Sequence, residues 1–532
     1  MNPVEPSYDL IIARARVHDG TAAPEYIADI GVRGDRIAAI GDLSEAAGPR
    51  VEASGKVLAP GFIDIHTHSD FSILFTRGME SSLAQGVTAE VVGNCGISIG
   101  LADRGDLFSL ERRGLERVGV ALDWNDLGGF LDRVESEGTA IHVATLAGHG
   151  TLRKRAMGVA DRPPTADELA TMCRDLGRAL DQGAIGLSSG LEYVPGMYAD
   201  VAEMTALAKV AREARGFYAT HLRDEGDGLV ESVGEAIAVA EGAGLPLQLS
   251  HHKAERRANW GKVARTLEMV RQARERGLDI SLDQYPYTAY QTALSTISLP
   301  HWAVGGTPAL MAERLRDPEG RAAIRAAMPD TDWSAVVMAS CPPMPAATGT
   351  SVEALARDAG IDPRDWVLDL LARGEGWISA VHHAMSEADV ETVLSDPYVM
   401  IGSDSVTASL RGPAAQDRPH PRTFGTFARV LGRYVRQRGV LPLGEAIRRM
   451  TSLPADRLGW GDRGRIRVGN VADLVLLDPE TVEDAASFLD PTLPARGIAA
   501  VWVAGTLAWD GDHATGSRTG RVLRAGNRRS QA

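Results

Sequence analysis

The stretch VLAPGFIDIHTHSD, residues 57–70, decides how this chain is read. Its apolar first half has strand character. His66 and His68 follow two positions apart, so on an extended backbone they project from one face. Imidazole is the commonest protein metal ligand, and two on one face make half of a metal site. Alone, an H-x-H is more readily two ordinary polar histidines. Its weight comes from recurrence. Cys95 in VVGNCG, His221 in ATHLRDE, His251 and His252 in LQLSHHK, and Asp404 in VMIGSDS each stand at or just past the end of a short apolar run. Such a set of thiolate, imidazoles and carboxylate can hold one or two zinc ions.

Working outward, eight apolar runs end near Asp64, Val92, Leu146, Leu187, Thr220, Leu249, Leu282 and Ile401. Helical patterns such as TADELATMCRDLGRALDQG and GKVARTLEMVRQARERG separate them. This alternation predicts an α/β fold, a TIM (β/α)8 barrel whose chemistry sits at the carboxyl ends of its strands. From Leu282 to Ile401 is 119 positions, far more than one crossover helix needs. The Pro-rich part, 288–350, is expected to be an inserted lid subdomain between strands 7 and 8. Both chain ends read as short alternating strands, DLIIARARVHDG at one and GRIRVGNVADLVLLDPE at the other. They predict one β-sandwich formed by residues 1–59 and 460–532, with the catalytic barrel at 60–459 between them. The tail after Gly511 is read as loose.

Composition narrows the function classes. The 532 residues include 56 basic and 70 acidic side chains, a net charge of −14, which argues against a nucleic-acid binder. With 44% hydrophobic residues the chain can bury a large core, yet no run approaches the 18 apolar residues of a membrane span. Three sparse cysteines and an acidic Met1–Asp9 without a basic leader point to the cytoplasm. Only five lysines occur, so any role that demands one has few candidates.

GFIDIHTH, VVGNCG, SSGLEYVPG, THLRDE, LSHHK, YPY, GSD and HPRTFGTFARVLGRYVR, spread from Leu10 to Ala508, resemble the N-acyl-D-amino-acid deacylases (D-aminoacylases) of the metal-dependent amidohydrolase superfamily. The resemblance implies one tight zinc site at Cys95, His221 and His251, and a second, weaker site at His66, His68 and Asp404. His252 is then the strand neighbour that points away. Relatives that bridge two metals with a carbamylated lysine are a poorer match, because the fourth strand, AIGLSSGLEY, has no lysine. Zinc would acidify a water to a pKa of about 7. Asp404 would act as general base and then as acid toward the leaving nitrogen. The resemblance also implies that Lys253 and Tyr285 hold the substrate α-carboxylate, with Tyr193 a candidate donor to the carbonyl or carboxylate. Arg223 is divided between substrate contact and a structural pair with Asp224 or Glu225. His149, His382, His383, Cys173 and Cys341 read as structural, and Arg422 as a residue that orders its loop.

The expected partner is a small-molecule N-acyl-D-amino acid, with no nucleic acid and no membrane. Leu299 and Met344 in an insert without lysine favour hydrophobic side chains such as Met, Leu or Phe over acidic ones. Two departures stand out: Ser405 after Asp404, and an atypical segment over 406–419. The rival readings are a dipeptidase or other linear-amide hydrolase for D-residue peptides, and a catalytically silent binding protein on the same fold.

Overall fold

In the computed structural model, which describes residues 7–102, 105, 108–374, 377–409 and 418–525, eight short parallel strands form a ring. They are β1 (Phe62–Asp64), β2 (Val87–Val92), β3 (His142–Thr145), β4 (Leu187–Gly190), β5 (Tyr218–His221), β6 (Leu247–Leu249), β7 (Ile280–Gln284) and β8 (Val399–Ile401). β1, β2 and β3 pair in order, and so do β4 to β8. After Leu146 the third strand continues as Ala147–Gly148 and pairs with β4. The ring closes where the Asp404 amide donates to the His66 carbonyl at 2.8 Å and the His68 amide to the Ser405 carbonyl at 2.7 Å.

The period-2 pattern explains the layers. Ile63 and Ile65, Ala89 and Val91, Ala144 and Leu146, and Phe217 and Ala219 share one interior core. The alternate residues Val92, Val143, Tyr218, Leu247, Leu249 and Leu282 belong to the outer core with the helices. One expectation shifts. β4 starts at Leu187 and runs on to Gly190, because Ser188 finds a partner inside the barrel and Ser189 one on its outer side. Ser188 Oγ donates to the Gly93 carbonyl at 2.5 Å, and Ser189 Oγ lies 2.7 Å from Tyr218 Oη. Polar residues hide such a strand from an apolar reading.

Both chain ends build one eight-stranded sheet, joined where Val57–Pro60 pairs antiparallel with Leu474–Leu477. It folds over a core in which Ile12, Ile30 and Val32 meet Leu58, Leu474 and Trp502. The expectation of a loose tail fails as far as Ala525. The Gly520 amide donates to the Thr139 carbonyl, and Val522 bridges to Val143 of β3.

A buried ion cluster ties this sheet to the barrel. Asp473 Oδ1 lies 3.0 Å from His142 Nε2 and accepts from the Ala504 amide at 2.8 Å, while Asp473 Oδ2 pairs with Arg463. Burial opposes the Asp473 charge, but His142 and Arg463 outweigh it and hold the carboxyl well below its usual range. Asp473→Ala is expected to destabilise the protein by about 3–5 kcal/mol, since it strands Arg463 in the interior. The folded-state pKa is depressed. The contribution is therefore fully present above the unfolded value of about 4 and is lost as pH falls. Denaturant unfolding of both proteins at pH 7 and at successive pH values below about 4 measures it.

Between β7 and β8 lies a small antiparallel sheet of Tyr290–Ala293, Ser379–His382 and Val336–Ser340. It has its own core, including Leu294, Ile297, Leu315, Ile324, Trp366 and Leu368. Leu299 lies inside that core and Met344 packs against it. Arg325 pairs with Asp365 at 2.9 Å on the outer helices. Among the described residues no helix is long and apolar enough to cross a membrane.

Candidate active site

The carboxyl ends of the barrel strands present the candidate ligands on abruptly turning backbone. Cys95, His251 and Asp404 have φ of 52°, 33° and 50°, the left-handed region that side chains other than glycine seldom adopt. Three such residues at one mouth fit the clustering of backbone strain at functional sites. Glycine makes the approach possible. A Cβ on Gly190 would stand 2.3 Å from the Cys95 carbonyl oxygen, and one on Gly96 would stand 2.7 Å from the Gly190 nitrogen. The VVGNCG turn and the end of β4 therefore touch backbone to backbone.

Two donor sets converge and share one atom. His66, His68, Cys95 and Asp404 each offer a ligand atom within 4.8 Å of the others, and so do Cys95, His221 and His251. Cys95 Sγ lies 3.3 Å from His66 Nε2 and 3.5 Å from His251 Nε2. Asp404 Oδ1 lies 3.1 Å from His68 Nε2 and 3.5 Å from His66 Nε2. The expected weaker set of His66, His68 and Asp404 thus gains Cys95 as a shared member. Burial opposes ionisation of the Cys95 thiol, but His66 and His68, with bonds from His221 and His251, pull it well below its usual range. A poised thiolate among imidazoles is the donor set zinc prefers.

Protons occupy the same donors. Burial works against a charge on His221, yet Glu225, Cys95 and Glu192 push its pKa up to about 10. Zinc uptake is therefore expected to release protons and to weaken as pH falls. Titration calorimetry of the metal-stripped protein in buffers of different ionisation enthalpy measures that release.

Four charged side chains contact the candidate ligands, a role the sequence did not assign them. Asp283 Oδ1 holds His66 Nδ1 at 3.0 Å and accepts from the His251 amide at 2.8 Å. Glu225 Oε1 holds His251 Nδ1 at 3.0 Å, and its other oxygen pairs with Lys253. Glu192 Oε2 lies 2.8 Å from His221 Nε2. Arg422 Nη1 donates to Asp404 Oδ2 at 2.6 Å. The available signal was proximity to ligand motifs: Glu225 is four residues after His221, and Glu192 precedes Tyr193.

The remaining candidates sort by their contacts. Lys253 is buried, its Nζ 2.9 Å from His251 Nδ1 and 5.9 Å from the centre of the Tyr285 ring. The Tyr285 hydroxyl is buried without a hydrogen-bond partner, and the Arg422 guanidinium lies 4.7 Å from the ring centre on this same residue. Tyr193 lies 4.7 Å ring to ring from His221, but its hydroxyl is 3.2 Å from Thr292 Oγ1 on the inserted sheet. His252 points away and bonds Thr266 Oγ1 at 2.8 Å.

Arg223 pairs with Glu235 at 2.8 Å, not with Asp224 or Glu225, because its neighbouring helix offers the better-placed acid. Ser405 Oγ lies 2.8 Å from Ser403 Oγ, and the donor to Asp404 Oδ2 is Arg422. His149 bonds Glu203 at 2.8 Å, and His382 bonds Tyr290 at 3.0 Å. Cys173 and Cys341 pack against apolar cores. Of the atypical segment over 406–419, residues 410–417 lie outside the described residues.

The chain is similar to known proteins over nearly its whole length. The amidohydrolase family matches residues 50–508. A D-aminoacylase of Alcaligenes xylosoxydans xylosoxydans is 38% identical over 97% of this chain and 97% of its own. An N-acyl-D-glutamate deacylase of the same organism is 38% identical over 97% of this chain and 96% of its own. The crystal structure of N-acyl-D-glutamate deacylase from Bordetella bronchiseptica, complexed with zinc and a phosphonate mimic of the tetrahedral intermediate, superposes with a TM-score of 0.83. It is 35% identical, covering 98% of this chain and 100% of that one.

Proposed function

The chain belongs to the amidohydrolase family, and from that premise we propose that it hydrolyses the amide bond of N-acyl-D-amino acids, releasing a D-amino acid and a carboxylate. The observation that carries this reading is one mouth holding both halves of the chemistry. The shared Cys95 donor sets and Asp404 adjoin Lys253 and Arg422, which flank Tyr285.

Cys95, His221 and His251 would hold the tighter zinc, and His66, His68 and Asp404 with Cys95 a second. Bound zinc supplies Lewis acidity for the carbonyl and for a water. Asp404 takes the proton from the attacking water and returns it to the leaving nitrogen, which departs only once protonated. Arg422 fixes Oδ2 of this carboxylate, so Oδ1 is left facing His66 and His68. Lys253 and Arg422 flank the phenol of Tyr285, whose buried hydroxyl is free to donate to an arriving α-carboxylate. The three sparse, unpaired cysteines support the reading of a reducing compartment, the cytoplasm, for this reaction.

Tyr285→Phe removes only that hydroxyl. It is expected to lower kcat/KM by about 10- to 100-fold for N-acetyl-D-amino acids, the worth of one bond to a charged group. The primary amide of the same substrate should lose far less. The reading itself is tested by amine release from N-acetyl-D- and N-acetyl-L-methionine by the zinc-loaded protein. Release from the D form alone is expected. Equal release from both, or none from either, overturns the substrate class.

A further inference from the structure

Three candidate histidine ligands around Cys95 have a carboxylate behind them, but the polarity is not the same. His66 and His251 are held at Nδ1, by Asp283 and Glu225 at 3.0 Å each, and both turn Nε2 toward Cys95 at 3.3 and 3.5 Å. His221 is reversed. Its Nε2 lies 2.8 Å from Glu192, and its Nδ1 has no hydrogen-bond partner although the side chain is only 5% exposed. A buried ring nitrogen left unpaired is costly unless something other than a protein group fills its lone pair.

We propose that Glu192 is the positioning residue of His221, accepting the Nε2 proton so that the Nδ1 lone pair faces the ion shared with Cys95 and His251. The carboxylate behind a ligating imidazole fixes both its tautomer and its ring angle. The local structure holds Glu192 to this task. It is the second residue after β4, and the Leu191 amide donates to the His221 carbonyl at 3.2 Å, locking the turn to the end of β5. Tyr193 covers the His221 ring from the next position. Gly190 allows this turn to reach the Cys95 loop, since any side chain there would strike the Cys95 carbonyl. Glu225 Oε2 is 3.8 Å from the same Nε2 and already pairs with Lys253, so Glu192 is the nearer acceptor.

The inference rests on the reading of Cys95, His221 and His251 as the tighter zinc site, so its test reads metal binding without substrate. Zinc affinity is measured by chelator competition on wild type, E192Q and E192A, and the cobalt-loaded proteins are compared by visible absorption. E192A is expected to bind zinc about 10- to 100-fold more weakly, with altered cobalt bands. E192Q keeps an oxygen that accepts the Nε2 proton, so its affinity is expected to stay within about 3-fold of wild type. Unchanged zinc affinity in E192A, with the loss appearing in KM alone, overturns the proposal and makes Glu192 a substrate contact. Equal weakening in both variants overturns it in favour of a simple charge effect. Failure of the underlying site reading shows separately: Cys95→Ala would then keep its tight zinc while the Glu192 variants were still being compared.

Discussion

Asp404→Asn is expected to lower kcat by about 10²- to 10⁴-fold, the span over which a positioned general base contributes. Asparagine keeps the shape and one oxygen but cannot take up a proton at neutral pH. The tight zinc should remain, because Cys95, His221 and His251 form their set without Asp404. The same change removes the negative charge that offsets Arg422, whose side chain is only 7% exposed. A drop in stability of a few kcal/mol should accompany the loss of rate, as for any buried cation left unpaired. Steady-state kinetics, metal analysis and thermal unfolding on one preparation separate the three effects. Full activity in Asp404→Asn would remove the proton-transfer role from this residue.

Cys95→Ala is expected to abolish stoichiometric zinc retention through desalting and to reduce activity to background. The reason is geometric. Cys95 is the one residue common to both donor sets, so its removal takes a ligand from each. The thiolate is also the soft, strongly binding member of the set, and zinc affinity depends on it most. Removing His68 instead should spare the tight set, since His68 belongs to the other group only. Metal content of the two variants, measured side by side, distinguishes a shared centre from two independent sites. If Cys95→Ala kept its full zinc, the thiolate would be a buried small side chain and nothing more.

Much of this molecule is legible in its residues, for identifiable reasons. Parallel barrel strands are buried on both faces, so they appear as short apolar runs, and the residue after each run falls at the mouth. That is why His66, Cys95, His221, His251 and Asp404 could be picked out before any contact was known. Lys253 and Tyr285 came from motif resemblance and adjacency to ligands. The reading was weakest where polar residues enter the barrel wall, as at Ser188 and Ser189 in β4, because no apolar periodicity marks them. The C-terminal tail failed for a related reason. Its Gly- and Arg-rich composition resembles a loose end, but its backbone amides and carbonyls pair with the free edge of β3.

The sequence by itself determined the barrel, the two-ended sheet and the identities of the candidate ligands. These depend on local patterns, on periods of two and 3.6 and on the chemistry of single side chains. Only the tertiary structure decided who shares what. Cys95 joins two donor sets, Asp283, Glu225 and Glu192 stand behind three histidines, and Arg422 grips Asp404. Each of these contacts links positions on different barrel strands or loops, from 18 to more than 200 residues apart, as for Arg422 with Asp404 and His66 with Asp283. Closing the ring brings such positions within 3.5 Å, and no feature of the linear order records which neighbour each will meet.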